Sequence, residues 1–573
     1  MSRFDASVNW IAALVRRRPY AVLFFLCCIV WLPGVTSLPP LDRDESRFAQ
    51  ASKQMLESGN FVDIRFGMEP RYKKPIGIYW LQAAATEVAS VATGTSERNH
   101  IWTYRIPSLL GAFAACAGIL WCVRAFAPLE TGFLAALLMV LTLLLTAEAK
   151  IAKTDAVLLA CVVWANAVLM RVYLSARDPA QPAPSRKTLL AGWAAFAGAI
   201  LIKGPVVFGV SLPLAAILSL WDRDWRWLAR TKPLSGGVVT VLMVLPWFVA
   251  ILLVSHGQFY ELALGHDFGS KIVSGQETHG APPGYYALLT TLSFWPATLF
   301  LLPALGMGVA RRKEPVFRFL LCWLVGAWLL FELVPTKLPH YVLPVYPVLA
   351  ILAALWAADP KPAETRVGRV LFLAAPVQFA LGILAFAVAA IAIPELYGSG
   401  AKWWLYVAVS VFMACSLTAL IAYIRRHTFA AVGLMLASVL VFYPAMTLGV
   451  APDLSRLWVS PRAAAAVKAL SEPGDPPVAV AGYIEPSMRF LLGTDTRLTN
   501  GSGAADVGVA QGGLALVEER QRPMFLARLA ELEGDARQVG ELDGLNYSRG
   551  KPVHIRIYRI DVQRDWAPPP PAE

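Results

Sequence analysis

Thirteen apolar stretches, each near the length of a membrane-spanning helix, constrain this chain more than any other feature. They fall at 19–38, 101–123, 129–147, 155–174, 188–202, 205–221, 235–254, 285–309, 315–333, 340–357, 368–393, 403–424 and 429–450. About 20 mainly apolar residues cross the hydrocarbon core as a helix, and in lipid every backbone polar group must be satisfied internally. The expectation is a polytopic α-helical membrane protein. Composition agrees, with 57% of the 573 residues hydrophobic and 16% charged, where a soluble globular chain carries about 25% charged residues. A soluble enzyme, a disordered chain and a fibrous one are excluded. Cys27, Cys28, Cys116, Cys122, Cys161, Cys322 and Cys415 all lie in apolar surroundings without CxxC spacing. Neither a disulfide framework nor a zinc knuckle is expected.

In a soluble chain the net charge of +12 would suggest nucleic acid, but in a membrane protein Lys and Arg collect in cytoplasmic loops. Arg16, Arg17 and Arg18 precede the first stretch. Alternate connections carry clusters such as Arg223, Arg226, Arg230 and Lys232, or Arg311, Arg312 and Lys313, while the intervening loops carry mostly single lysines. This asymmetry predicts a multi-pass protein of the bacterial inner membrane with a cytoplasmic N-terminus and a periplasmic C-terminal segment. The lipid bilayer is the expected partner, and nucleic acid is not. Pro39 and Pro40 lead from the first stretch straight into an acidic motif, so no cleavable signal is read there.

Two domains are expected. Residues 1–452 form a transmembrane unit with outer loops 39–100 and 255–284, and residues 453–573 form a small periplasmic α/β domain. In the latter, PVAVAGY, GLALVEE and VHIRIYRI read as strands, and PRAAAAVKALS and RPMFLARLAELEG as helices. IYWLQAAATEVASVA in the first loop reads as one or two amphipathic helices along the interface. The tail APPPPAE is expected to be disordered. GxxxxGK[ST], GxGxxG and HExxH motifs are absent, which leaves nucleotide hydrolysis and zinc proteolysis without support.

Charges in so apolar a chain carry information. Asp42, Asp44, Glu45 and Arg47 crowd into six residues directly after the first stretch, followed by Glu69, Arg71, Lys73 and Lys74 before Pro75. Carboxylates beside cations suit a site that handles an anionic substrate and keeps a base. Asp155, in KIAKTDAVLL, fits helix capping and function equally well; Lys150 and Lys153 nearby are within reach of a phosphate. Lys203 in ILIKGPVV and Lys337 in VPTKLPHYVLPVYP stand at membrane edges, where snorkelling competes with function. By the topology, Arg47, Lys74, Lys203 and Lys337 all fall on the outer face, where several cations could bind a phosphate whose tail stays in the bilayer.

Taken in order, DRDESRF after the first stretch, YKKPIGIYW, the TDA acid, the KGP lysine and TKLPHYVLPVYP resemble the GT-C membrane glycosyltransferases of the protein mannosyltransferase and aminoarabinose (lipid A) transferase superfamily. The motif resemblance covers roughly the first 350 residues; beyond them the likeness is architectural. It implies a GT-C fold of about 13 transmembrane helices, a polyprenyl-phosphate-linked sugar donor and a periplasmic active site. It also implies an inverting transfer, metal-independent or loosely metal-associated, to lipid A or another envelope glycan or protein acceptor. Carried over by position, Asp44 is the essential acid with Glu45 beside it, Arg47 and Lys74 flank the lipid phosphate, and Asp155 is the second acid. His266 falls in the second outer loop, where relatives also have a His. One departure concerns the metal: the aminoarabinose transferases commonly have an acid before the lysine of the KP pair, where this chain has Lys73. A divalent metal stays open, with Glu69, His266 and Asp267 as its candidate ligands. Protein O-glycosylation is the alternative within the class. A lipid-linked sugar transporter or flippase is the alternative outside it, but it would show related halves and charges near the midplane.

Overall fold

A computed structural model of the chain describes residues 13–263, 281–361 and 365–561. Each of the thirteen stretches falls on helix. Among the described residues, eight helices are long and apolar enough to cross a bilayer: Ile101–Val123, Asp155–Arg177, Pro233–Ser255, Pro315–Leu333, Pro339–Ala358, Arg366–Tyr397, Trp403–Ile424 and Thr428–Asp453. A ninth span is the pair Leu129–Leu141 and Leu143–Ala149, bent by 70°. Pro19–Trp31, Val206–Asp222 and Thr298–Ala310 are shorter apolar helices, and Arg186–Lys203 is apolar between charged ends. The protein is a multi-pass membrane protein. Helix Pro233–Ser255 leaves Leu234, Leu242 and Leu253 largely bare, an apolar face whose natural solvent is lipid.

Small residues set the approach of the helices that carry the site. A Cβ on Gly111 would sit 2.8 Å from the Val157 backbone, so helix Ile101–Val123 lies directly against Asp155–Arg177, as small residues permit in membranes. Ser108 Oγ donates to the Ile151 carbonyl at 2.7 Å, which fixes the segment leading into Asp155. The bend in the ninth span has a local cause. Thr142 is extended (φ −63°, ψ 139°), and the Leu143 N–H donates to the Trp295 carbonyl at 3.0 Å. The stretch 129–147 is therefore two helices, the second carrying Glu148. The stretch 285–309 likewise divides, into Tyr285–Ser293 and Thr298–Ala310.

The first long loop contains helix Asp44–Ser58, a short hairpin of β1 (Arg65–Phe66) and β2 (Glu69–Pro70), and helix Gly77–Thr93. IYWLQAAATEVASVA thus forms a single helix, amphipathic as expected: Ile78, Tyr79 and Gln82 are buried while Trp80, Val88 and Val91 are exposed.

The C-terminal residues form a small sheet domain. Its strands are β3 (Ala479–Ala481), β4 (Arg497–Thr499), β5 (Gly513–Glu518), β6 (Ala536–Asn546) and β7 (Lys551–Ile560), in the order β4-β3-β5-β7-β6. The first three are parallel, and β7 and β6 run antiparallel. Alternation assigns the faces. Val480, Leu514, Leu516, Ile555 and Ile557 pack with Val459, Ala463 and Val467 of helix Val459–Leu470. On the other face Ala479, Ala515, Val517 and Tyr558 meet Phe525 and Leu529 of helix Arg522–Glu531. The expected strands and helices are present; β4, β6 and helices Pro486–Leu492 and Gly501–Gln511 are additional.

Candidate active site

A cavity of about 720 Å³ opens where the first loop meets the ends of several membrane helices. Its polar lining includes Asp44, Arg47, Arg71, Lys73, Lys74, Lys153, Asp155, Lys203 and His340, and its apolar wall includes Leu158, Ile200, Phe208, Phe248, Leu330 and Phe331. Five expected site residues, Asp44, Arg47, Lys74, Asp155 and Lys203, thus converge from segments up to 159 positions apart. The lining carries six Lys or Arg side chains against two acids.

Asp44 is the first residue of its helix, where the free N–H groups favour a negative charge. Its side chain is accessible where it faces the cavity. Burial pushes its carboxyl up, but the charges of Arg71, Lys153 and Arg47 outweigh burial and hold it below the usual carboxylate range. It is a carboxylate at neutral pH. Preceding it, Arg43 adopts φ 64°, ψ −110°, the glycine-dominated first central conformation of a type II′ turn. In an arginine such backbone costs about 1–3 kcal/mol. Arg71 is buried, its guanidinium carbon 5.1 Å from the Phe48 ring centroid, with its Nε lacking a hydrogen-bond partner among the described residues.

Asp155 caps no N–H of its own helix, whose N-cap is Thr154. It accepts instead from Lys203 Nζ at 2.6 Å, with Lys153 Nζ at 3.7 Å and His340 Nε2 at 4.0 Å. Lys153 is also 2.8 Å from Glu148 on the bent span. Burial draws the Lys153 ammonium down, yet Glu148, Asp155 and Asp44 hold it above the ordinary lysine value. Lys153 Nζ lies 3.2 Å from His340 Nδ1. An ammonium can only donate, so Nδ1 accepts and the imidazole proton sits on Nε2, toward Asp155. Gly204, at φ 62°, turns the chain directly after Lys203, a conformation that costs glycine little.

Three expected residues are elsewhere. Glu45 faces away from the cavity: it accepts from Arg105 at 2.8 and 2.9 Å and from the Leu41 and Ala152 N–H groups at 2.8 and 2.7 Å. With four donors its carboxylate is saturated, and it ties the first loop to helix Ile101–Val123 and to the segment before Asp155 instead of meeting an acceptor. Lys337 donates to the Glu332 and Val334 carbonyls at 2.6 and 3.0 Å. Thr336 and Leu338 line the cavity, so on this extended stretch Lys337 points to the opposite side. Glu69 is exposed on the hairpin and does not line the cavity. His266 and Asp267 lie outside the described residues, among which no three His, Cys, Asp or Glu side chains converge to hold a metal. Conversely, Arg71, Lys153 and His340 enter the lining. His340 reaches the lining from the 3-10 turn Pro339–Val345, which begins where the extended stretch ends.

The architecture is the GT-C fold of membrane glycosyltransferases, and the sequence resemblance is to the protein mannosyltransferase and aminoarabinose transferase superfamily within it. Residues 18–257 match the family described as dolichyl-phosphate-mannose-protein mannosyltransferase. The undecaprenyl phosphate-alpha-4-amino-4-deoxy-L-arabinose arabinosyl transferase of Pectobacterium carotovorum is 28% identical over 396 residues, 66% of this chain and 66% of its own length. A protein of the same name, numbered 2, from Pseudomonas fluorescens is 27% identical over 352 residues, 60% of this chain and 59% of its own. The matches therefore span 59–66% of these relatives. In fold, the chain superposes on ArnT from Cupriavidus metallidurans bound to undecaprenyl phosphate with a TM-score of 0.72 at 20% identity, covering 95% of this chain and 98% of the other. The archaeal oligosaccharyltransferase AglB of Archaeoglobus fulgidus follows at 0.51 and 10%, covering 89% and 70%.

Proposed function

We propose that the chain is an inner-membrane glycosyltransferase that moves one sugar from a polyprenyl-phosphate-linked donor to lipid A or another cell-envelope acceptor at the periplasmic face. The observation that carries this reading is the cavity with six cations and two acids facing an apolar wall. A lipid phosphate fits the cations and its tail the wall. In the transfer, the acceptor oxygen attacks the anomeric carbon, the carbon–oxygen bond to phosphate breaks, and polyprenyl phosphate leaves with the electron pair. Arg47, Lys74 and Lys203, joined by Arg71 and Lys153, stabilise the charge that grows on that phosphate, an interaction worth most in a site sheltered from water. Asp155 fixes Lys203 and, through Lys153, His340.

Asp44 takes the proton of a hydroxyl acceptor or orients an acceptor that is already anionic. The cations that hold it in its carboxylate form weaken it as a base, which favours a phosphate acceptor such as lipid A presents. The names of the relatives make undecaprenyl-phosphate-linked 4-amino-4-deoxy-L-arabinose the first donor to test. The positive clusters of the alternate loops favour a cytoplasmic N-terminus and a periplasmic sheet domain, with residues 1–452 and 453–573 as the proposed two domains. Lipid A mass spectrometry of a deletion strain and its complement tests the reading. Loss of a pentosamine increment, restored by the wild type and not by Asp44→Asn, is the expected result. A lost increment on periplasmic proteins instead would move the acceptor to protein, and unchanged envelopes would remove the reading.

A further inference from the structure

The turn that presents Asp44 is gripped from outside the membrane bundle. The Asp42 N–H donates to Tyr547 Oη at 2.7 Å. The Asp42 carboxylate accepts from Ser487 Oγ and, at 3.4 Å, from Tyr483 Oη. The Arg43 guanidinium donates to the Ser548 carbonyl at 2.5 Å. Tyr547 and Ser548 form the turn between β6 and β7. That turn is pinned in its place by Glu485, which accepts from Asn546 Nδ2 at 2.8 Å and from Ser548 Oγ at 2.7 Å. Every one of these partners belongs to the sheet domain. Arg43, itself one of the two gripped residues, holds the φ 64°, ψ −110° backbone that a non-glycine residue keeps only when its surroundings impose it.

We propose that Tyr547, Ser487 and Ser548 are positioning residues for Asp44, so that the sheet domain clamps the strained turn and thereby sets the carboxylate's place in the cavity. The role of Asp44 rests on the function proposed above; the clamp rests on its own contacts. Adhesion of the domain does not require it. Gln50 Nε2 donates to Thr494 Oγ1 at 2.7 Å, Lys53 Nζ to the Phe490 carbonyl at 3.3 Å and Arg489 Nη1 to the Phe66 carbonyl at 3.0 Å. These hold the domain along helix Asp44–Ser58 and the hairpin when the clamp is cut. The clamp instead acts on the first helical turn, where the Ser46 N–H bonds the Leu41 carbonyl at 3.2 Å and the Arg47 N–H bonds the Arg43 carbonyl at 3.1 Å.

Four full-length proteins decide it: wild type, Tyr547→Phe, Arg43→Gly and the double variant. Each is assayed with undecaprenyl-phosphate-linked aminoarabinose and lipid A, and by hydrogen–deuterium exchange across residues 41–47. Tyr547→Phe is expected to lower kcat about tenfold, the scale of a small misplacement of a reacting group, with the donor KM unchanged and exchange at Ser46 and Arg47 accelerated. In the Arg43→Gly background the backbone adopts the turn unaided, so the same substitution should cost no more than about twofold. Equal losses in both backgrounds, a loss carried by KM alone, or unchanged exchange at Ser46 and Arg47 overturns the proposal. If the wild type transfers nothing from this donor, the functional reading fails, and the exchange comparison still decides the clamp.

Discussion

The same helices carry a cluster of charges at each end, and the two clusters are built differently. At the end away from the sheet domain, Asp222 accepts from Arg318 and from Tyr173 Oη at 2.7 Å, and lies 2.9 Å from Arg177. Asp224 accepts from Arg177 Nη1 and from the Arg226 N–H, both at 2.8 Å. Acids and cations there close on one another and tie Asp155–Arg177, Val206–Asp222 and Pro315–Leu333 together. At the other end of these helices six cations face a cavity with two acids. Identical chemistry serves architecture where it is mutually satisfied and ligand binding where one sign is in excess. Charge count alone separates neither; the imbalance around an open volume does.

Asp44→Asn probes the open cluster hardest. Removing the charge while keeping the shape should lower transfer by about 10²–10⁴-fold, the usual worth of a positioned acid or base, with the protein still inserted and monodisperse. Lys203→Met comes next. It removes a cation from the cavity and the 2.6 Å hydrogen bond that Asp155 accepts from it, and a loss of about 10²–10³-fold in kcat is expected. Asp222→Asn makes the opposite prediction for the closed cluster: Arg177 and Arg318 lose their shared acid, folding stability falls by about 3 kcal/mol, and the kcat of the folded fraction is unchanged. Thermal unfolding in detergent beside single-turnover transfer separates the two. If Asp222→Asn abolished turnover in well-folded protein, or Lys203→Met only lowered the unfolding temperature, the comparison would be broken.

The fold was legible because lipid imposes one rule on every segment: thirteen apolar stretches could only be helices. Asp44, Arg47, Lys74, Asp155 and Lys203 were legible because each stands out in an apolar chain at the same expected face. What local pattern could not carry was the identity of distant partners. Glu45 reads as Asp44 does, yet Arg105, sixty residues on, consumes its carboxylate. Lys337 reads as Lys203 does, yet the extended backbone at 336–338 turns it to carbonyls. The break at Thr142 depends on a carbonyl from Trp295. Strand β6, ARQVGELDGLN, lacks clean alternation because its register against β7 shifts between Gln538 and Gly540.

Asp42 sharpens the comparison with the smallest expected effect, since it is an acid enclosed by neutral donors and not by cations. Burial is the main cause carrying its carboxyl up to about 7; Ser487, Tyr483 and Tyr547 pull it down, and the Glu485 charge adds to the rise. In the unfolded chain it titrates near the ordinary 3.8. Between those values the folded protein holds a proton that the unfolded chain has lost, so stability falls as pH rises through this window. Its contribution is full below about 4, is lost progressively up to about 7, and changes no further above that. The grip on the 42–43 turn should therefore loosen from pH 5 to pH 7. Exchange at Ser46 and Arg47, corrected for the intrinsic pH dependence, should rise across that range in the wild type and stay level in Asp42→Asn, which cannot ionise. The same slope in both proteins would mean that another group governs the turn.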